Sequence, residues 1–441
     1  MSQAELRREL GLRDLVLFNL AAVVGVRWLA AAARAGPSSL VLWLLAAAFF
    51  FVPSALVVAR LSRIWPEQGG IYVWTRRAFG DWQGFLCGWC YWLSNLFYFP
   101  NLLLAGLGVA YYLLGERGQA LSENPAAMIA GALLVLWFGT LTNLVGLRTG
   151  KWTENAGGLA TYLAGLLLVA AGALAWTRGG PASSFTPVWP RWDWGTVNFW
   201  SQIAFAFGGL ELGAVMGGEI RHPQRTVPRA AWISGAAVAV FYLAGTVAVL
   251  ALIAPAQINV ITGLAQAGQK ASAVLGVTWI GPVLAGLVTL GIAGQLGAWL
   301  AGSARVPFAI GLDRYLPAAF ARLHPRWGTP YVAIVSQSLA CTLFLLAMQA
   351  GESLRAGYQL LVDMTVITYF IPFAYMFLVA ARCGLIRSAM AGLAVTLAAI
   401  ACSLIPPQES SNPWLFEAKI IGGCAVVIGA ARIVFRRARR S

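Results

Sequence analysis

Apolar stretches of about twenty residues recur from Asp14 almost to the C-terminus, and this repeated length constrains the fold more than any motif does. A helix rising about 1.5 Å per residue needs about 20 residues to cross about 30 Å of hydrocarbon. Inside hydrocarbon, backbone N–H and C=O groups must be bonded within the protein, so stretches of this kind become helices. The chain is 59% hydrophobic and only 11% charged, too little charge to clothe a water-exposed surface, for which about a quarter is usual. An all-α membrane protein is expected, with the lipid bilayer as its main partner.

Twelve transmembrane helices are predicted, over 14–35, 39–60, 82–113, 126–145, 153–176, 195–218, 230–254, 276–304, 330–350, 356–381, 385–404 and 412–434. Breaker clusters such as Ala35-Gly36-Pro37, Glu123-Asn124-Pro125, Gly328-Thr329-Pro330 and Pro406-Pro407 separate them. Met1 to Arg13 is polar and lacks the pattern of a cleaved leader, so the first span is expected to stay.

A net charge of +15 would point to nucleic acid in a soluble protein, but its placement says otherwise. With the N-terminus inside, 23 of the 31 lysines and arginines fall in inner segments and seven in outer ones, leaving only Arg27 within a span. This is the positive-inside pattern, so the charge reports topology and excludes nucleic acid. Both termini are expected in the cytoplasm, in a bacterial-type inner membrane.

Cys87 and Cys90 make a C-x-x-C spacing inside an apolar aromatic run, without a second pair or a nearby histidine, which reads as packing rather than a metal or redox site. Gly69-Gly70-Ile71-Tyr72 lacks the Lys-Ser/Thr of a phosphate-binding loop. The 16 acids form no paired carboxylates in a loop, so an enzyme is not expected, nor a cofactor, a metal or a catalytic residue. Asp313 to Pro317 is expected to open a short helix at the inner face, with Arg322 and Arg326 near headgroups.

Transport folds often contain two inverted repeats whose first helices are broken at mid-membrane, where free backbone groups meet the substrate. A matched pair of breaks occurs here. Gly25 interrupts the first span eleven residues after Asp14, and Gly208-Gly209 interrupt the sixth thirteen and fourteen residues after Gly195. Small residues also occur wherever membrane helices touch, so the weight lies on the pair at corresponding depth. Broken half-helices attract an anionic group through free N–H donors and dipoles, which gives an amino-acid site without a charged side chain.

Near the breaks stand Arg27, Glu211 and, in the tenth span, Asp363, residues that hydrocarbon excludes at a cost of at least about 2.5 kcal/mol each. They are expected to face a cavity or one another. Arg27 is either a counter-ion to Glu211 or Asp363 or a group that draws a substrate carboxylate. Glu211, at the start of a half-helix, is a candidate proton acceptor, because the dipole favours its charged form and burial opposes it. Asp363 is a second proton-coupling candidate.

The run Phe205-Ala206-Phe207-Gly208-Gly209-Leu210-Glu211, followed by Gly218-Glu219-Ile220-Arg221-His222-Pro223, resembles the sixth-helix signature of the amino acid–polyamine–organocation permeases. Trp65 to Tyr72, Gly302-Ser303-Ala304-Arg305 and Leu316 to Phe320 extend the resemblance over most of 14–405. Pro255 to Leu264, with Leu316 to Phe320, look most like the glutamate/γ-aminobutyrate antiporter branch. The resemblance implies a LeuT-like five-plus-five inverted repeat with helices 1 and 6 broken. It also implies a site at Val24, Gly25, Val26 and Arg27 with Phe205, Ala206, Phe207, Gly208 and Gly209, an aromatic gate at Phe205, and a proton-sensing role for Glu211. Two features depart from the family. Val23 and Val24 stand where its first break carries small residues, and the fifth span lacks the lysine that replaces sodium in some relatives.

The expected organisation is an N-terminus of 1–13, a transporter core of 14–381 with repeats 14–176 and 195–381, two further helices over 385–434 and a basic tail of 435–441. The expected function is secondary transport of amino acids or related small molecules, as antiporter or proton-linked symporter. An amino-acid sensor on a transporter scaffold, or a polytopic enzyme, is the alternative.

Overall fold

The computed structural model describes residues 8–190, 194–260, 262–347, 354–405 and 413–440. In chain order the helices are α1 (Leu12–Val23), α2 (Arg27–Arg34), α3 (Ser39–Ala46), α4 (Val52–Ile64), α5 (Ile71–Phe79) and α6 (Asp81–Tyr112). They continue with α7 (Glu116–Glu123), α8 (Pro125–Val145), α9 (Leu147–Gly179), α10 (Trp194–Ala206), α11 (Leu210–Val215) and α12 (Pro223–Leu252). The last six are α13 (Gly263–Leu275), α14 (Ile280–Leu312), α15 (Tyr331–Ala347), α16 (Leu354–Arg382), α17 (Ile386–Ser403) and α18 (Pro413–Ala438). Among the described residues the extended pairing is one isolated bridge between Leu10 and Ile220.

Each predicted span falls, in its described part, on a helix or on consecutive helices. Among the described residues nine helices are long and apolar enough to cross a membrane, ten counting the bent α1–α2 pair, so this test accounts for ten of the twelve. The other two positions are α15 and the α10–α11 pair. The Pro406-Pro407 breaker lies outside the described residues. Leu134, Phe138, Leu166, Val240, Leu343 and Val426 are exposed, as residues facing hydrocarbon would be.

The core forms where α14 packs on α9 and α6, and α16 on α6 and α17. Glycine makes the first contact possible: a Cβ on Gly157 would stand 2.5 Å from the Gly294 Cα, so α9 and α14 meet backbone to backbone. One π-turn, Ala47–Phe51, separates α3 from α4 and turns Phe51 onto Phe207, ring centroids 4.6 Å apart.

Two sequence expectations need correction. The eighth helix runs to Leu312 rather than ending at 304, so Arg305 is a buried helical residue and not a loop cation. Its guanidinium holds the Glu219 carboxylate with two bonds of 2.8 and 2.9 Å, which removes the reason to place it in water. Second, α5, α7 and α13 occupy stretches left as connections, being too short to read as spans.

Candidate functional site

Both breaks fall where the glycines placed them. The helix stops at Val23, resumes at Arg27 and bends by 41°. The second break lies between Ala206 and Leu210, where Gly209 adopts φ +120°, a conformation that disfavours a side chain. Breaking a helix frees carbonyls and N–H groups that must be satisfied inside the membrane.

One hydroxyl serves both breaks. Tyr242 on α12 shares its proton between the carbonyls of Val23 and Ala206, at 2.7 and 2.9 Å, and accepts the Gly25 N–H at 3.1 Å. From the other side, α14 supplies Trp299 Nε1 to the Ala22 carbonyl at 2.8 Å, and Gln295 Nε2 to the carbonyls of Ala22 and Val24 at 3.2 and 3.3 Å. The first break is therefore held between α12 and α14.

Between the breaks lies a small cavity, floored by Ala22, Val23, Ala206 and Gly208 and walled by Trp28, Tyr98, Phe205, Trp299 and Tyr369. The wall is continuous. Phe205 meets Trp28 edge-on at 5.6 Å and Tyr369 at 5.0 Å, while Tyr98 meets Trp299 at 5.3 Å. Trp28 lies over Gly25, where a Cβ would stand 2.6 Å from its ring, and Tyr369 covers Gly208 at the same distance. Val23 reaches across the gap, its Cγ2 3.0 Å from where a Gly209 Cβ would lie, so this departure from the family narrows the space between the breaks.

Of the predicted site residues, Phe205, Ala206 and Gly208 line the cavity. Val24, Gly25, Val26, Phe207 and Gly209 form the breaks behind it and are buried. Glu211 is buried on α11 and accepts three bonds: from Tyr91 at 2.9 Å, from Tyr369 at 2.6 Å and from the Gly209 N–H at 3.0 Å. Three donors and a helix start suit a carboxylate, and Tyr369 links it directly to the cavity wall. Asp363 is buried on α16, six residues before Tyr369, and does not line the cavity. Arg27 is not paired with Glu211. Its Nη1 donates to Asn101 Oδ1, and its guanidinium lies over the rings of Trp28 and Tyr98, at 4.3 and 4.8 Å.

Tyr242, Gln295, Trp299, Tyr369, Tyr91 and Asn101 escaped the sequence reading. The available signal was weak: polar-tipped residues inside otherwise apolar spans, where each needs a bonding partner.

A second polar cluster sits at the end where α1 begins. The Glu9 and Leu10 N–H groups both donate to the Glu219 carbonyl at 3.0 Å, and the Arg221 N–H donates to the Leu10 carbonyl at 2.9 Å. The Gly69 N–H donates to the Val215 carbonyl at 3.0 Å, bringing the Trp65–Tyr72 stretch under α11. Beyond it, Tyr72 donates to Asp313 at 2.5 Å and Arg76 pairs with Asp313 and Asp81, at 2.6 and 2.9 Å. Burial, reinforced by the Asp313 carboxylate, pushes the Tyr72 phenol far above its ordinary value, so it stays a donor.

Two helices broken at corresponding depth, facing one cavity in a helical bundle, define a LeuT-type fold. The chain belongs to the amino acid permease family, whose model matches residues 10–426. It is 27% identical to an uncharacterized transporter of Legionella pneumophila, over 96% of this chain and 95% of that one. It is 30% identical to uncharacterized transporters of Mycobacterium bovis and Mycobacterium tuberculosis, over 99% of this chain and 94% of theirs. In fold it is similar to the crystal structure of MhsT in complex with L-phenylalanine, with a TM-score of 0.64 and 14% identity over 98% and 99% of the two chains.

Proposed function

We propose that this transporter carries amino acids or related small organic molecules across a bacterial-type inner membrane by alternating access. The observation that carries the reading is the cavity between two breaks that share one hydroxyl on Tyr242. A substrate there meets backbone groups at Val24 to Arg27 and Phe205 to Gly209, with Phe205 and Trp28 as the rings that must part to admit it. The aromatic walls favour an apolar or flat portion, and the breaks a small zwitterion. Glu211 is the proposed proton site, because a proton there would remove the charge that strengthens its bond from Tyr369 and so loosen the wall. In this reading both termini are cytoplasmic, and the Glu9–Leu10 bonds to Glu219 close the inner side.

The test is uptake of a labelled amino-acid panel into proteoliposomes, with and without an imposed pH gradient, and with and without internal amino acid. Uptake stimulated by internal substrate marks exchange, and uptake driven by the pH gradient marks proton linkage. No movement or binding of any member of the panel would overturn the reading.

A further inference from the structure

Arg27 and Asn101 form a polar island behind the aromatic wall. They are 4% and 1% exposed, and one bond joins them, from Nη1 to Oδ1. The other buried donors, Arg27 Nε and Nη2 and Asn101 Nδ2, have no hydrogen-bond partner among the described residues. No acid among the described residues forms an ion pair with the guanidinium. Arginine cannot shed its charge in a protein, and a buried charge left uncompensated is strongly unfavourable. The two stacked rings and one amide oxygen offset part of that cost and leave the charge unpaired.

The edge left open is chemically specific. Nε and Nη2 lie side by side on the guanidinium and present the parallel N–H pair that grips both oxygens of a carboxylate. Asn101 Nδ2 adds a third donor. Trp28 and Tyr98, over which Arg27 lies, also wall the cavity, so the guanidinium sits directly behind that wall.

We propose that Arg27 and Asn101 form a carboxylate-binding subsite beside the central cavity, which takes the side-chain carboxylate of a dicarboxylic amino acid. This rests on reading the cavity as an amino-acid site, and it adds a second point of attachment away from the breaks.

The test measures competition by aspartate, glutamate, asparagine and glutamine in proteoliposomes, with tryptophan fluorescence of the purified protein as an uptake-independent readout. The acids are expected to bind at least tenfold more tightly than their amides. Arg27→Lys, which keeps the charge but loses the fork, is expected to abolish that tenfold preference, a change of about 1.4 kcal/mol, by weakening the acids more than the amides. Asn101→Asp places a fixed carboxylate against the guanidinium and is expected to do the same, which keeps the test open if the lysine variant folds poorly. Replacing chloride by methanesulfonate is expected to change nothing. Equal affinity for acids and amides overturns the subsite. Parallel weakening of both by Arg27→Lys also does, since Arg27 then grips a carboxylate common to all amino acids. So does a chloride requirement that Asn101→Asp removes. In each of these outcomes amino acids still bind and the transport reading survives, whereas silence towards the whole panel overturns the two together.

Discussion

Replacing Tyr242 with phenylalanine removes one oxygen, the hydroxyl that is bonded to both breaks. Phenylalanine keeps the ring, which stacks on Trp43 at 4.3 Å and 9°, so the change isolates the hydroxyl. Three groups lose a partner: the Gly25 N–H and the carbonyls of Val23 and Ala206. A buried polar group left unsatisfied costs about 1–3 kcal/mol, and carbonyls tolerate it better than N–H groups, so about 2–4 kcal/mol is expected in total. Neither remaining anchor reaches the second break, since Gln295 and Trp299 bond to Ala22 and Val24. The loss therefore falls on the coupling between α1 and α10. Uptake in proteoliposomes is expected to drop at least about tenfold, the equivalent of about 1.4 kcal/mol, while the variant still purifies as a folded protein with a lowered unfolding temperature in detergent. Uptake within about twofold of wild type, which is under about 0.5 kcal/mol, together with an unchanged unfolding temperature would refute the idea that this hydroxyl holds the breaks.

Gly209→Val is expected to abolish uptake while the protein is still inserted and purified, because φ +120° and the Val23 methyl at 3.0 Å both oppose a branched side chain; normal uptake would show that this geometry is dispensable. Glu211→Gln keeps an acceptor for Tyr369 but removes the titratable group, so uptake should become insensitive to an imposed pH gradient, and a retained response would place the proton elsewhere. Arg305→Met strands the buried Glu219 carboxylate at a cost of about 3–5 kcal/mol, and the yield of folded protein should fall sharply and recover in part when Glu219→Gln is added; an unaffected yield would show that the pair does not hold the fold. Cysteines placed at Arg225 and Lys270 should react with impermeant reagents from opposite faces, the first from inside; labelling of position 225 from outside would overturn the proposed orientation.

The helices were legible because hydrocarbon imposes one length on every span, and the breaks because Gly25 and the Gly208-Gly209 pair interrupt two spans at the same depth. Other features depend on contacts between residues far apart in the chain. Arg305 read as the end of a span because the paired carboxylate of Glu219 lies 86 residues away. Tyr242 stands 217 residues from Gly25, and nothing in its own helix marks it out. The π-turn at Ala47–Phe51 leaves no signature in an alanine–phenylalanine run, yet it sets Phe51 against the second break. Of the residues the resemblance implied for the site, Phe205, Ala206 and Gly208 of the second break line the cavity. Those of the first lie behind Trp28, whose ring covers Gly25.

The bonds around the first break also indicate which contacts must part when the cavity opens. The α1 carbonyls are held from two sides, by Tyr242 on α12 and by Gln295 and Trp299 on α14. The second break has an α12 bond through Ala206, while Glu211 just beyond it is held by α6 and α16 through Tyr91 and Tyr369. If α1, α2, α10, α11 and α12 move as one body, every Tyr242 bond survives and the bonds from Gln295, Trp299, Tyr91 and Tyr369 are the ones stretched. Those four donors come from α14, α6 and α16, which pack on one another through α6 and form the opposite body. Tyr369 and Trp299 also wall the cavity, so the surface that closes over a substrate is the surface whose bonds break on opening. A ligand that strengthens its contacts with these two rings would hold the closed state, and one that competes for their polar tips would favour release, because it can shift the balance only by its difference in affinity for the two states.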